Sequence, residues 1–180
     1  MYDFYSDTKT RPTPAMLQTV LGAEVGDEQK DEDPTTIALC ERVAELLGKE
    51  AAVFLPSGTM CNQIAVRVHI RPGEEIICER TCHILTSEGG AAAGLSGAMM
   101  HPIDGHLGTY EAAQVSAAIQ VGSRHQPRSR LLCVEQTANL AGGAVWSLER
   151  VAAVCAVARQ AGLTTHLDGA RLMNGVGRTG

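Results

Sequence analysis

From about residue 75 onward the chain alternates short apolar runs with helical stretches, and no other feature restricts the fold as much. Residues 75–78, 98–101, 131–135 and 163–167 read as strands. Between them, 87–94 reads as a helix or a loop of small residues, 111–121 as a helix, and 148–161 as a helix closed by Gly162. Strands that return after a helix pair in parallel, and a parallel sheet needs cover on both faces. The fold class expected is α/β: a mainly parallel sheet with helices on both faces. The first 35 residues or so are polar and irregular apart from a helical stretch near 15–21. From Thr35 the apolar residues Ile37, Leu39, Cys40, Val43, Ala44, Leu46 and Leu47 recur at helical spacing before Gly48. A strand-like run at 51–55 then meets Pro56-Ser57-Gly58-Thr59, and a helix at 60–69 ends at Arg71-Pro72-Gly73. With no linker or repeat, residues 1–180 read as one domain carrying an N-terminal arm of about 35 residues.

Composition removes several functions. Aromatic residues are 3% and the net charge is −5, so neither stacked bases nor a phosphate backbone finds a surface here. The basic stretch Arg124, His125, Arg128 and Arg130, with Pro127 inside it, reads as a solvated loop. The cysteines at 40, 61, 78, 82, 133 and 155 show no Cys-x-x-Cys spacing. Cys78-x₃-Cys82-His83 has no second half, so no metal site is expected. Reduced thiols, the absence of a basic-then-apolar start and the lack of a long apolar run point to a cytoplasmic protein away from membranes.

Ligands of an open parallel sheet collect at the carboxyl ends of its strands. Three polar clusters fall there. Ser57-Gly58-Thr59 opens a helix, where backbone N–H groups and two hydroxyls suit an anion such as a phosphate, or simply cap the helix. Asp168 ends an apolar strand; its carboxylate suits a protonated heterocycle nitrogen, a pairing with Arg171, or a cap on the next turn. His83 follows another strand, where an imidazole can stack on a flat ring, relay a proton, or sit as a half-buried polar residue. A phosphate cradle, a partner for a cationic ring nitrogen and an imidazole together answer the needs of pyridoxal phosphate, an electron sink for carbanions at an amino acid's α-carbon.

Longer motifs point the same way. Ser6-Asp7-Thr8-x-Thr10-Arg11-Pro12, Val25-Gly26-Asp27, Asp33-Pro34-Thr35 and Gly48-Lys49-Glu50-Ala51-Ala52 resemble the opening of the low-specificity threonine aldolases. So do Phe54-Leu55-Pro56-Ser57-Gly58-Thr59-Met60-x-Asn62 and His166-Leu167-Asp168-Gly169-Ala170-Arg171-Leu172-x-Asn174, in the right order along the whole chain. The resemblance implies the aspartate-aminotransferase type of fold, pyridoxal 5'-phosphate as cofactor, and cleavage of β-hydroxy-α-amino acids to glycine and an aldehyde. It also implies a homodimer or homotetramer with active sites at the dimer interface. By position, Ser57, Gly58 and Thr59 would hold the phosphate, His83 would stack on the pyridine ring, and Asp168 would pair with the ring nitrogen. Arg171 would lie by the ring oxygen and the substrate carboxylate, with Ser6 helping to bind that carboxylate.

The chain departs from the family at three points. The histidine expected beside the substrate hydroxyl is Ala138, within Glu135-Gln136-Thr137-Ala138-Asn139, so His83 or a water becomes the expected proton acceptor. A tyrosine common before the Asp-Pro segment is Lys30. The family's cofactor lysine follows the Asp-Gly-Ala-Arg segment by some tens of residues, whereas this sequence has only Lys9, Lys30 and Lys49. The expectation is therefore a truncated large domain, without its late strands or small C-terminal domain and inactive by itself. Two other readings stay open: a β-eliminating lyase with the same cofactor, and a non-catalytic protein that only associates.

Overall fold

The computed structural model describes Asp3 and residues 5–179, which form two compact units, one through Phe54 and one from Leu55. In the first, helix α1 (Pro14–Leu21) and helix α2 (Pro34–Leu47) begin the same way. Thr13 and Asp33 cap them by accepting from Met16 N–H at 3.3 Å and Thr36 N–H at 2.7 Å. Pro14 and Pro34 occupy first-turn positions where a missing N–H costs nothing. The Asp33 carboxyl is held below its ordinary range, first by the Gly26 N–H and then by that of Thr36. Helix α2 ends at Gly48 with φ +59°, a left-handed stop that glycine adopts without strain. Its apolar stripe makes the helix but little core: Ala44 alone is buried, while Ile37, Leu39, Leu46 and Leu47 are at least 40% exposed. The run at 51–55 is not a strand. No described strand pairs with it, and Pro56 both lacks an N–H and restricts the residue before it.

The second unit contains helix α3 (Gly58–His69), strand β1 (Glu75–Glu79), the short helices α4 (His83–Thr86) and α5 (Ala91–Ser96), and strand β2 (Met99–Ile103). Helix α6 (Ala112–Ala118), strand β3 (Ser129–Glu135), helix α7 (Leu148–Gln160), strand β4 (Thr164–Asp168) and helix α8 (Leu172–Thr179) follow. All four expected strands form, and all pair in parallel in the order β2-β1-β3-β4. The basic segment needs one correction: Arg130 lies in β3 and pairs with Glu74 at 2.9 Å, whereas Arg124, His125 and Arg128 are exposed.

Alternate residues of the central strands feed two cores. Ile76, Cys78, Leu131 and Cys133 pack with Val66 of α3 and Ile70 just after it, Ile84 of α4 and Ala92 of α5. Ile77, Leu132 and Val134 pack on the opposite side with Val115 and Ala118 of α6, Val154 and Ala158 of α7, and Trp146. The strand period of two thus covers both faces, as expected. Because the β1-to-β2 crossover uses one face and the next two use the other, the helices change sides between β1 and β3. Ligands of such sheets bind at that switch point, beyond the carboxyl ends of the strands.

All six cysteines are free thiols, and Cys78, Cys82 and Cys133 are buried. A hydrogen bond with Cys82, with burial second, pushes the Cys78 thiol far up, and burial does the same to Cys133. Both influences disfavour the thiolate that a nucleophile or metal ligand requires. Among the described residues no helix is long and apolar enough to cross a membrane.

Candidate active site

The carboxyl ends of β1, β3 and β4 and the first turn of α3 enclose a cavity of about 210 Å³. Gly58, Thr59, Asn62, His83, Glu135, Asp168, Ala170 and Arg171 line it. Five of the seven residues singled out from the sequence therefore meet in one place. Ser57 stands just before α3 as its cap, its Oγ accepting from Met60 N–H at 3.2 Å. Ser6 belongs to the first unit, where its Oγ accepts from Thr8 N–H at 3.3 Å. Larger hollows lie elsewhere among the described residues, such as one of about 270 Å³ within the first unit and an apolar groove of about 580 Å³ along α3 and α5. Neither joins carboxylate to imidazole, so size does not mark the site.

Register explains the convergence. Glu135 and Asp168 are paired neighbours at the ends of β3 and β4, which sets two carboxyl groups side by side. Asp168 is 7% exposed. Its Oδ2 accepts from Asn62 Nδ2 at 2.8 Å and its Oδ1 from Ala170 N–H at 3.2 Å, so both oxygens are held as acceptors. Glu135 accepts from the backbone N–H of His83 at 3.2 Å and of Asn139 at 3.4 Å. Burial is the largest influence on Glu135 and raises its pKa, with these two bonds opposing.

Sequence reasoning assigned no role to Asn62, Glu88, Glu135 or His166. Asn62 sits one turn into α3 and links three partners. Its Nδ2 also donates to Glu88 Oε1 at 2.8 Å, and its Oδ1 lies 2.9 Å from His166 Nε2. Glu88 in turn lies 2.7 Å from His83 Nδ1 and accepts from Gln63 Nε2. Spacing on α3 offered a hint for Asn62, since it stands three residues after Thr59 and faces the same way. Glu88 gave no signal at all within its run of small residues.

His166 yields a prediction. Burial lowers its pKa below the ordinary 6.5, while the nearby Asp168 charge opposes without reversing the shift. A depressed histidine contributes stability that is complete above its unfolded value and lost as pH falls through the folded one. Glu135, with a raised pKa, has the opposite sign and loses its contribution as pH rises. Urea-unfolding stability should therefore fall more steeply from about pH 7 toward about pH 5 in the native protein than in His166→Gln, which keeps a donor to Asn62. Parallel pH profiles would refute this.

Ala138 explains one departure from the family pattern. It is 2% exposed and does not line the cavity. A Cβ added at Gly108 would lie 2.4 Å from the Ala138 side chain, and the Gly108 φ of +72° already excludes most other residues. Ala138 thus packs directly against Gly108, and a larger side chain at 138 must displace this contact. Ala138→His should thus cost about 2 kcal/mol or more through overpacking, seen as a lower urea midpoint. An unchanged midpoint would mean that the turn moves aside without cost.

A parallel α/β sheet here carries a carboxylate, an imidazole, an arginine and a helix N-terminus around its switch-point crevice, the arrangement of a cofactor-binding α/β domain. The chain belongs to the β-eliminating lyase family, whose sequence model matches residues 3–179. It is 42% identical over 179 residues to low-specificity L-threonine aldolase 1 of Arabidopsis thaliana, a match covering 96% of this chain and 49% of that protein. To the low specificity L-threonine aldolase of Escherichia coli strain K12 it is 41% identical, covering 98% and 52%. The solved threonine aldolase of Leishmania major superposes with a TM-score of 0.68 at 28% identity, over 74% of this chain and 39% of that one. The chain spans about half the length of the curated relatives it matches. Pyridoxal phosphate is the family's cofactor. The residues present fit it, because the cavity brings together a buried acceptor carboxylate and a helix N-terminus that carries the Thr59 hydroxyl.

Proposed function

We propose that the protein is a pyridoxal-phosphate aldehyde-lyase that cleaves β-hydroxy-α-amino acids of the threonine and allo-threonine type to glycine and an aldehyde. The observation that carries this reading is the fixing of Asp168 as a double acceptor beside His83 and Arg171 in one cavity. Bound pyridoxal phosphate supplies the electron sink for the pair left on the α-carbon when the Cα–Cβ bond breaks.

The residues divide the remaining work. Gly58 and Thr59 offer first-turn N–H groups, which have no intrahelical partner, to the phosphate, and Ser57 and Thr59 add hydroxyl donors. Asp168 would hold the protonated pyridine nitrogen, because a carboxylate with both oxygens already accepting favours a cationic donor. Arg171, backed by the N–H bond from its own backbone to Gln136 O at 3.2 Å, offers a fork to the substrate carboxylate. His83 would face the pyridine ring and would take the proton leaving the β-hydroxyl. Ala138 is turned into the Gly108 contact and leaves that role to His83.

The test is to supply the full-length gene product with pyridoxal phosphate and threonine or allo-threonine and follow the products. Glycine and acetaldehyde are expected. The lack of an imidazole at Ala138 favours one second reading, β-elimination by the same site, and ammonia with a keto acid would mark it. The homodimeric or homotetrameric state belongs to the same proposal and is read by sedimentation of that protein.

A further inference from the structure

Glu88 is the buried charge that the reading above leaves without a task. Its side chain is fully buried, and it does not line the cavity. Isolating a carboxylate from water costs several kcal/mol unless its oxygens are fully supplied with donors. Here three groups reach it: Asn62 Nδ2 at 2.8 Å and His83 Nδ1 at 2.7 Å on Oε1, and Gln63 Nε2 on Oε2.

The orientation of the two amides follows from their surroundings. Turning Asn62 over would aim its carbonyl oxygen at both Glu88 and Asp168 and its NH₂ group at His166. Turning Gln63 over would set oxygen against oxygen at Glu88. Amide nitrogens only donate, so both carboxylate oxygens already act as acceptors. The remaining contact is satisfied when His83 brings the hydrogen. A neutral imidazole has a single N–H, and with that on Nδ1 its Nε2 carries a lone pair.

We infer that Glu88 is a positioning residue that holds His83 as the Nδ1–H tautomer, so that Nε2 is the nitrogen able to accept a proton at the cavity. The arrangement is that of a histidine oriented by a carboxylate, with Asn62 tying it to Asp168. One hydrogen-bonded chain therefore runs from the imidazole through Glu88 and Asn62 to the carboxylate assigned to the ring nitrogen. The catalytic consequence rests on the aldol-cleavage reading; the tautomer itself does not.

The tautomer is measured on the purified, cofactor-free chain by two-bond proton–nitrogen correlation of its histidine rings, at about pH 8.5, above the ordinary histidine range. His83 is assigned by loss of its signals in His83→Gln. A pyrrole-type Nδ1 and a pyridine-type Nε2 are expected in the native protein, and a shift toward the Nε2–H form in Glu88→Leu, which offers Nδ1–H no acceptor. A native His83 with its proton on Nε2 would overturn the inference without any variant, so a misfolded Glu88→Leu cannot shelter it. A folded Glu88→Leu protein that keeps the Nδ1–H form would overturn it as well. In the full-length enzyme, Glu88→Gln is expected to lower kcat about tenfold to a hundredfold with KM within twofold, the size seen for partners that orient a reacting histidine. Equal turnover would sink the positioning role. A native enzyme that releases no glycine would instead sink the functional reading, while the ring spectrum still decides the tautomer.

Discussion

Replacing Asp168 with asparagine is expected to reduce glycine-forming turnover of the full-length enzyme about a thousandfold, the scale on which a lost pre-organised electrostatic partner acts. Cofactor affinity should fall with it. The change is small in volume but wrong at both oxygens. Oδ2 faces the Asn62 amide and Oδ1 faces the Ala170 N–H, so an NH₂ group in either position meets a donor. A buried donor left without an acceptor costs about 1–3 kcal/mol. The variant also lacks the charge that favours a protonated ring nitrogen, and without that proton the electron sink weakens. Spectrophotometric titration with pyridoxal phosphate, followed by turnover measured at saturating cofactor, separates the two losses. Turnover within tenfold of the native enzyme would refute the assignment of Asp168 to the ring nitrogen.

The second large effect concerns the core that holds β3 in place. Trp146→Ala should destabilise the protein by about 4 kcal/mol, within the range found for removing a large aromatic from a packed interior. That is a sizeable share of the total for a domain, about 5–15 kcal/mol. Trp146 is 2% exposed and meets the edge of Tyr110 with ring centroids 4.8 Å apart at 85°. Tyr110 in turn donates from its hydroxyl to Cys133 O at 2.6 Å, which couples this aromatic pair to β3. Gln136 secures Trp146 from the other side. Its Oε1 accepts the Trp146 backbone N–H at 3.1 Å, and its Nε2 donates to the Trp146 carbonyl at 3.3 Å. Trp146→Phe keeps most of the apolar contact and removes an indole N–H that has no hydrogen-bond partner among the described residues, so it should cost less than half as much. Urea unfolding followed by circular dichroism measures both variants. A loss below about 1 kcal/mol for Trp146→Ala would mean that the core collapses around the gap.

Much of this architecture was legible along the chain. The apolar residues from Ile37 to Leu47 recur at helical spacing up to Gly48, where α2 ends. Runs such as Leu131 to Val134 were apolar at every position, as a strand buried on both faces requires, and all of them pair in parallel. The position of Asp168 at the end of β4 and of Ser57 before α3 also followed from pattern alone. One run was misread: residues 51–55 have the composition of a strand but no described neighbour to complete one. The helix read from Thr35 does form as α2, yet its apolar stripe remains largely exposed. Period and propensity state what a segment can become; burial depends on what lies against it.

The sequence by itself determined the order of the elements, the parallel sheet and the family, because local caps, turns and hydrophobic periods act over a few residues and survive without knowledge of the rest. Only the tertiary structure decided the polar network. Asn62 reaches Glu88 across 26 positions, Asp168 across 106 and His166 across 104. Ala138 acquired its meaning from Gly108, thirty residues earlier and a Cβ's width away. Partners so far apart leave no periodic trace, since hydrogen-bond geometry is satisfied in space and not along the chain.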